Sequence, residues 1–148
     1  MEIERSYECL NLKNQLCFPL YACAKEIVRS YSSLLAPLGL TYTQYITMMV
    51  LWEEEELTVK ALGEHLYLDS GTLTPLLKKL EEKGLVTRTR SKIDERNLIV
   101  RVTAEGLAMQ EAAAEIPSQF RDSLRLSDEE YDELHRLLYK VLGQLGEE

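Results

Sequence analysis

Beyond residue 23 the chain has no cysteine, and the three it carries, Cys9, Cys17 and Cys23, are crowded near the N-terminus. An odd number in one short stretch excludes a disulfide framework, which needs paired cysteines spread along the fold. Histidine is scarcer still. His65 and His135 lie far from the cysteines, so no zinc-ligand spacing exists. No apolar run approaches the roughly 18–20 residues of a membrane span. The opening "MEIERSYECL" is charged and lacks a signal-peptide core. Catalytic triad, phosphate loop and dinucleotide fingerprint are all missing. These absences lead to the expectation of a cytoplasmic protein with reduced thiols, no membrane contact, no metal, no cofactor and no enzymatic activity.

What the chain has in excess is acid. Its 148 residues carry a net charge of −8, which at first argues against nucleic acid. The distribution says otherwise. Residues 70–101 hold eight Lys/Arg against four Asp/Glu, a balance of +4, while the remainder holds nine against 21, a balance of −12. One basic segment inside an acidic protein is a local electrostatic footprint, since a partner responds to the field it meets rather than to the total.

Hydrophobic periodicity gives the elements. Residues 12–36 read as a long amphipathic helix. "PLGLT" breaks it, and Thr41 or Thr43 can cap a second helix, "YTQYITMMVLWEE", apolar nearly all round and therefore buried. Thr58 suits the N-cap of a short helix ending near Leu66. Asp69 or Ser70 caps "GTLTPLLKKLEEKG", whose Gly84 fits the left-handed position beyond a helix C-terminus. The period then shortens. "LVTRTR" and "NLIVRVT" are strand-like and flank polar "SKIDER", a hairpin with a charged loop. A helix resumes at "TAEGLAMQEAAAEI", stops near Pro117, and another follows at "SDEEYDELHRLLYKVLGQL", where Ser127 and Glu130 are spaced as a capping box.

Two short helices followed by a hairpin predict a winged helix-turn-helix: mainly α, with a small β-hairpin wing. The long terminal helices, apolar on one face, predict a homodimer. The implied division is residues 1–36 as N-terminal dimerisation helix, 37–103 as DNA-binding core and 104–148 as C-terminal dimerisation helices. A recognition helix needs short polar donors in its first turns and phosphate contacts farther along. Here those are Ser70, Thr72 and Thr74, then Lys78 and Lys79, with Gly71 permitting close backbone approach. The wing supplies Arg88, Arg90, Lys92 and Arg96, the last suited to a narrow minor groove, with Asp94 placed to orient it.

The stretch "LYLDSGTLTPLLKKLEEKGLVTRTRSKIDERNLIVRVTAEG" resembles the winged-helix core of the MarR family. Its "DSGTLTPLLKKLE" helix and "DER" wing, together with "NQLCFPLY" and "LGLTYTQYITMMVLWE", are similar to the organic hydroperoxide resistance regulators and to the related thiol-based global regulators of staphylococci. The likeness spans roughly residues 10–117. It implies a dimeric architecture and a pseudo-palindromic double-stranded operator. It also implies a reactive cysteine held by two tyrosines of the opposite subunit, carried over here as Cys17, Tyr21 and Tyr31. By pitch these three share a helical face, yet Tyr31 lies about 21 Å along the axis from Cys17 and can reach only a partner's thiol.

Two phenol donors would stabilise a thiolate, the form that attacks a peroxide, and the neighbouring Leu16 and Phe18 would favour organic hydroperoxides. The sulfenic acid so formed condenses with another thiol. With no cysteine in the C-terminal half, the resemblance is to the one-cysteine type, resolved by a low-molecular-weight thiol. Cys9 is the internal alternative, and Cys23 is expected to fill the core. Pro19 departs from the family pattern and predicts a first helix that starts late or bends beside Cys17. Two other readings remain: a repressor switched by a small aromatic ligand, with Tyr45 and Trp52 lining its pocket, and a thiol peroxidase, which would leave the basic helix and wing without a purpose.

Overall fold

In the computed structural model, residues 6–146 are described, and they divide into two compact units at Ala113/Ala114. The first helix, α1, runs Cys17–Leu35, not from residue 12. Before it come two short 3-10 turns, Glu8–Leu10 and Leu12–Asn14. Pro19 explains the late start. As the third helical residue it lacks only an N–H that would have no intrahelical partner, and Gln15 escapes the clash with its ring by being extended (φ −88°, ψ 130°). Gln15 instead ties the N-terminal segment together, its Nε2 donating to the carbonyls of Cys9 at 2.6 Å and Asn11 at 2.9 Å. Cys23, expected in the core, is exposed, because nothing among the described residues covers that face of α1.

After a 3-10 turn at Ala36–Leu38, α2 (Tyr42–Glu54) opens with a full capping box between Thr41 and Gln44. Strand β1 (Glu56–Thr58) leads directly into α3 (Val59–Leu66), capped by Thr58 Oγ1 accepting the Ala61 N–H at 3.1 Å. Tyr67 closes α3 in the left-handed region (φ 56°), and Gly63 makes the tight turn to the next helix possible. A Cβ there would lie 2.6 Å from the Leu68 carbonyl oxygen. Helix α4 (Ser70–Glu82) ends at Gly84, whose φ of 77° is the conformation glycine adopts without a Cβ penalty. Strands β2 (Val86–Arg90) and β3 (Leu98–Val102) form the hairpin, and β1 joins its other edge to give the antiparallel order β1-β3-β2. The three-residue β1 has no sequence signal. Its pairing is long-range, Leu57 opposite Val100, with the cross-strand pair Glu56 and Arg101 joined by an ion pair at 2.7 Å.

Leu35, Met48, Leu51, Leu62, Leu73, Leu77, Leu80, Val86 and Val100 are fully buried, so α1, α2, α3, α4 and the sheet share one core. Helix α5 (Ala104–Ala113) completes this unit. In the second unit, Pro117 begins α6 (Ile116–Ser123) rather than ending a helix, since its fixed φ suits a first turn. Helix α7 (Asp128–Leu145) is capped by Ser127, which accepts the Glu130 N–H at 3.1 Å. Its Leu134, Leu137, Leu138, Val141 and Leu145 are exposed. No single helix among the described residues is long and apolar enough to cross a membrane.

Candidate functional site

Helix α4 is built so that one side anchors and the other presents. Leu73, Leu76, Leu77 and Leu80 are buried at near i, i+3, i+4, i+7 spacing, which turns Ser70, Gly71, Thr72, Thr74, Lys78 and Lys79 to solvent. Thr74 Oγ1 donates to the Ser70 carbonyl at 2.8 Å, so its hydroxyl is partly engaged by its own helix. The N-terminus is held by Asp69, whose Oδ1 accepts the Thr72 N–H at 2.7 Å. Hydrogen bonds from Thr72, from its side chain first and its backbone second, hold the Asp69 carboxyl below its ordinary value, against a smaller opposing effect of burial.

That depression has a sign. The cap contributes stability above the ordinary aspartate pKa of 3.8 and loses it as pH falls through the lower folded value. Asp69→Asn, which still caps, is therefore expected to keep the neutral-pH melting temperature. It should lose less stability than the parent between pH 4 and pH 2 in thermal melts, and parallel acid limbs for the two proteins would refute this account of the cap.

The wing divides its basic residues into two kinds. Arg88 faces inward: Glu81 Oε1 accepts from its Nη2 at 3.1 Å, Glu81 Oε2 accepts its backbone N–H at 3.0 Å, and its side chain is only 20% exposed. The side-chain bond to Arg88, then the backbone one, pulls the Glu81 carboxyl below the ordinary range. Arg88, expected to meet DNA, ties the C-terminal turn of the recognition helix to the root of the wing in the free chain. Sequence reasoning misses Glu81, because no local pattern marks a bond from a helix end into the next strand. Arg90, Lys92 and Arg96 face solvent. Asp94 Oδ1 accepts both the backbone N–H and Nε of Arg96, at 3.1 and 3.3 Å, leaving the Arg96 side chain 91% exposed. Between α3, the start of α4 and the wing lies an open groove of about 820 Å³, reached by Lys60, Tyr67, Ser70, Thr74 and Arg96.

The sulfur site lies apart from this surface. Cys17 is exposed and is the first residue of α1, at an N-terminus that has no side-chain cap. Tyr21 stands one turn on, exposed, with the Lys25 ammonium 5.4 Å from its ring centre. Tyr31 belongs to the other end of the same unbroken helix. It is buried, its ring 5.1 Å from that of Tyr42 and 5.7 Å from that of Tyr45. One protomer thus places Cys17 beside Tyr21 and keeps Tyr31 away from both. Neither Tyr45 nor Trp52 lines the groove described above. Tyr45 is 2% exposed, and burial, followed by the neighbouring Tyr42, raises its phenol above the ordinary value. The Trp52 Nε1–H is spent on the Gly106 carbonyl at 2.8 Å.

The chain is similar to known proteins. The transcriptional regulator SarA/Rot family matches residues 29–112. The organic hydroperoxide resistance transcriptional regulator of Bacillus subtilis (strain 168) is 45% identical over 97% of both chains. Reduced AbfR bound to DNA, a protein of Staphylococcus epidermidis, superposes with a TM-score of 0.81 at 39% identity, covering 95% of this chain and 96% of that one. The same protein in its disulfide form gives 0.64 at 37% identity, over 91% and 95%. A cysteine-to-serine mutant of MarR from E. coli, complexed with operator DNA, gives 0.78 at 27% identity, over 86% and 93%. A winged helix-turn-helix with a basic recognition face, an exposed cysteine opening its first helix, and this degree of identity together place the chain in the MarR family of transcriptional regulators, among those of the organic hydroperoxide resistance type.

Proposed function

We propose that this chain is a homodimeric repressor that holds a pseudo-palindromic double-stranded operator while Cys17 is reduced and releases it when an organic hydroperoxide oxidises that thiol. The observation that carries the reading is the position of Cys17: exposed, at an uncapped helix N-terminus whose unpaired N–H groups favour an anion, and beside the exposed phenol of Tyr21. In the dimer, the exposed apolar side chains of early α1 (Phe18, Leu20) and of α7 are covered by the sister chain. Tyr31, its ring clamped by Tyr42 and Tyr45, offers a phenol from a fixed place to the sister chain's Cys17.

The thiolate attacks the peroxide's outer oxygen. The O–O bond breaks, an S–O bond forms, and the alkoxide leaves to be protonated as the alcohol. The sulfenic acid then condenses with a low-molecular-weight thiol, forming a mixed disulfide and releasing water. The oxidised sulfur is neutral and bulkier, so it no longer suits phenol donors arranged for an anion. The resulting repacking of α1 alters the spacing of the two recognition helices, and two-fold operator binding tolerates little such error. A cytoplasmic site of action follows from the DNA partner.

A gel-shift titration with the DNA upstream of the gene tests this. The reduced protein is expected to bind as a particle of twice the chain mass, to release on stoichiometric cumene hydroperoxide in the presence of a small thiol, and to rebind after dithiothreitol. Unchanged binding by protein whose Cys17 is oxidised, as read by intact mass, would overturn it.

A further inference from the structure

We infer that Ile93, at the tip of the wing, is a DNA contact of a different kind from its charged neighbours: an apolar probe that enters the minor groove beside Arg96. The inference rests on the DNA-binding reading above and adds to it a residue and a physical mechanism. At 99% exposure, Ile93 is the most exposed large apolar side chain among the described residues, well beyond Leu10 and Leu16 at 73%.

A loose loop could expose any side chain, but this loop is tied. The Ser91 N–H donates to the Asn97 carbonyl at 2.8 Å and closes the hairpin, and the Asn97 N–H donates to the Asp94 carbonyl at 2.9 Å. Ser91 Oγ accepts the N–H groups of Ile93 and Asp94 at 3.2 and 3.4 Å. Arg90 Nη1 donates to the Glu95 carbonyl at 3.0 Å. The polar groups of the tip are thus largely used within the tip, and the isoleucine is what it displays.

Charge points the same way. Lys92 and Arg96 are matched by Asp94 and Glu95, so with Arg90 at its base the tip carries only a single net positive charge, and Arg96 already shares its charge with Asp94. Ion pairing with phosphates gives so weakly charged a tip little pull into a groove. Removing an isoleucine and the apolar sugar walls from water adds to that pull, and branched apolar side chains are used as minor-groove wedges in other DNA-binding proteins. Lys92 on one side and Arg96 on the other then meet the phosphates flanking the groove.

The salt dependence separates an apolar contact from an ionic one. Reduced full-length protein would be titrated against its operator duplex by fluorescence anisotropy over a series of salt concentrations, with Ile93→Ser, Ile93→Leu and Arg96→Ala. Ile93 packs against almost nothing in its own chain, so these changes leave the fold alone. Ile93→Ser is expected to weaken binding about tenfold for each wing engaged, the effect of losing about half the burial of one such side chain. Its slope of log affinity against log salt should match the parent's, because no counterion is involved, and Ile93→Leu should bind like the parent. Arg96→Ala should make the slope shallower by about one for each wing engaged.

Ile93→Ser within twofold of the parent, with Arg96→Ala weakened, would overturn the inference and leave the wing's role intact. A changed slope in Ile93→Ser would also overturn it, since the contact would then act through charge. If neither substitution weakens binding, the wing lies outside the complex and the assignment of a wing contact fails with it.

Discussion

Gly106→Ala is expected to lower the stability of the protein by about 2 kcal/mol, although alanine favours a helix over glycine by about 1 kcal/mol. Space decides the sign. A Cβ on Gly106 would lie 2.4 Å from the Leu85 carbonyl oxygen, 2.7 Å from Val102 Cγ2 and 3.2 Å from Met48 Cε. The closest of these is backbone, and it is not free to move: Leu85 O accepts the Thr103 N–H at 3.0 Å. Thr103 Oγ1 in turn donates to Gly84 O at 2.7 Å and accepts the Gly106 N–H at 3.0 Å, while Gly106 O holds Trp52 at 2.8 Å. Relieving the overlap means pulling α5 away from the end of the hairpin and stretching these bonds. Urea denaturation of both proteins at equal protomer concentration measures the loss, a condition that holds any linkage between folding and association fixed. A midpoint at or above the parent's would show that α5 does not pack this closely.

How much of this is legible in the sequence depends on how local the cause is. The caps at Thr41, Thr58, Asp69 and Ser127 and the left-handed Gly84 each involve residues within about one turn, and each is readable from residue type and spacing. The recognition helix is readable for the same reason, since its buried leucines alternate with short polar residues in a pattern that needs no partner to interpret. Strand β1 is not, because three residues form a strand only by pairing with β3 more than 40 residues later. Pro117 reads as a stop when it is a start, two roles that proline's fixed φ supports equally well. The Arg88–Glu81 pair is not legible, because charge alone carries no record of a partner across the helix end. Cys23 reads as core from its apolar setting in the sequence, but the side of α1 that bears it has no cover among the described residues.

Cys17→Ser is expected to abolish the response to organic hydroperoxide while leaving reduced operator binding near the parent's level. All three cysteines are exposed, so access to oxidant does not choose among them. Setting does. Cys9 lies in a short 3-10 turn and Cys23 lies within α1, whereas Cys17 opens α1 at its uncapped end and has a phenol one turn away. Only the thiolate attacks a peroxide, and of the three cysteines Cys17 is the one that opens an α-helix with an exposed tyrosine one turn on. Serine keeps the size of the side chain but is not a nucleophile toward peroxide at neutral pH, so the sulfur's chemistry goes and the packing stays. Cys9→Ser and Cys23→Ser should release DNA as the parent does. Tyr31→Phe, which removes one hydroxyl from a ring whose packing it keeps, should require about tenfold more peroxide for half-release if that hydroxyl bonds the sister chain's thiolate, the size of one hydrogen bond to a charged group. Gel shifts over a peroxide titration, with intact mass to locate the oxygen, distinguish these variants. Full release by Cys17→Ser would move the sensor to another residue, and parent-like release by Tyr31→Phe would remove the cross-chain phenol while keeping the thiol.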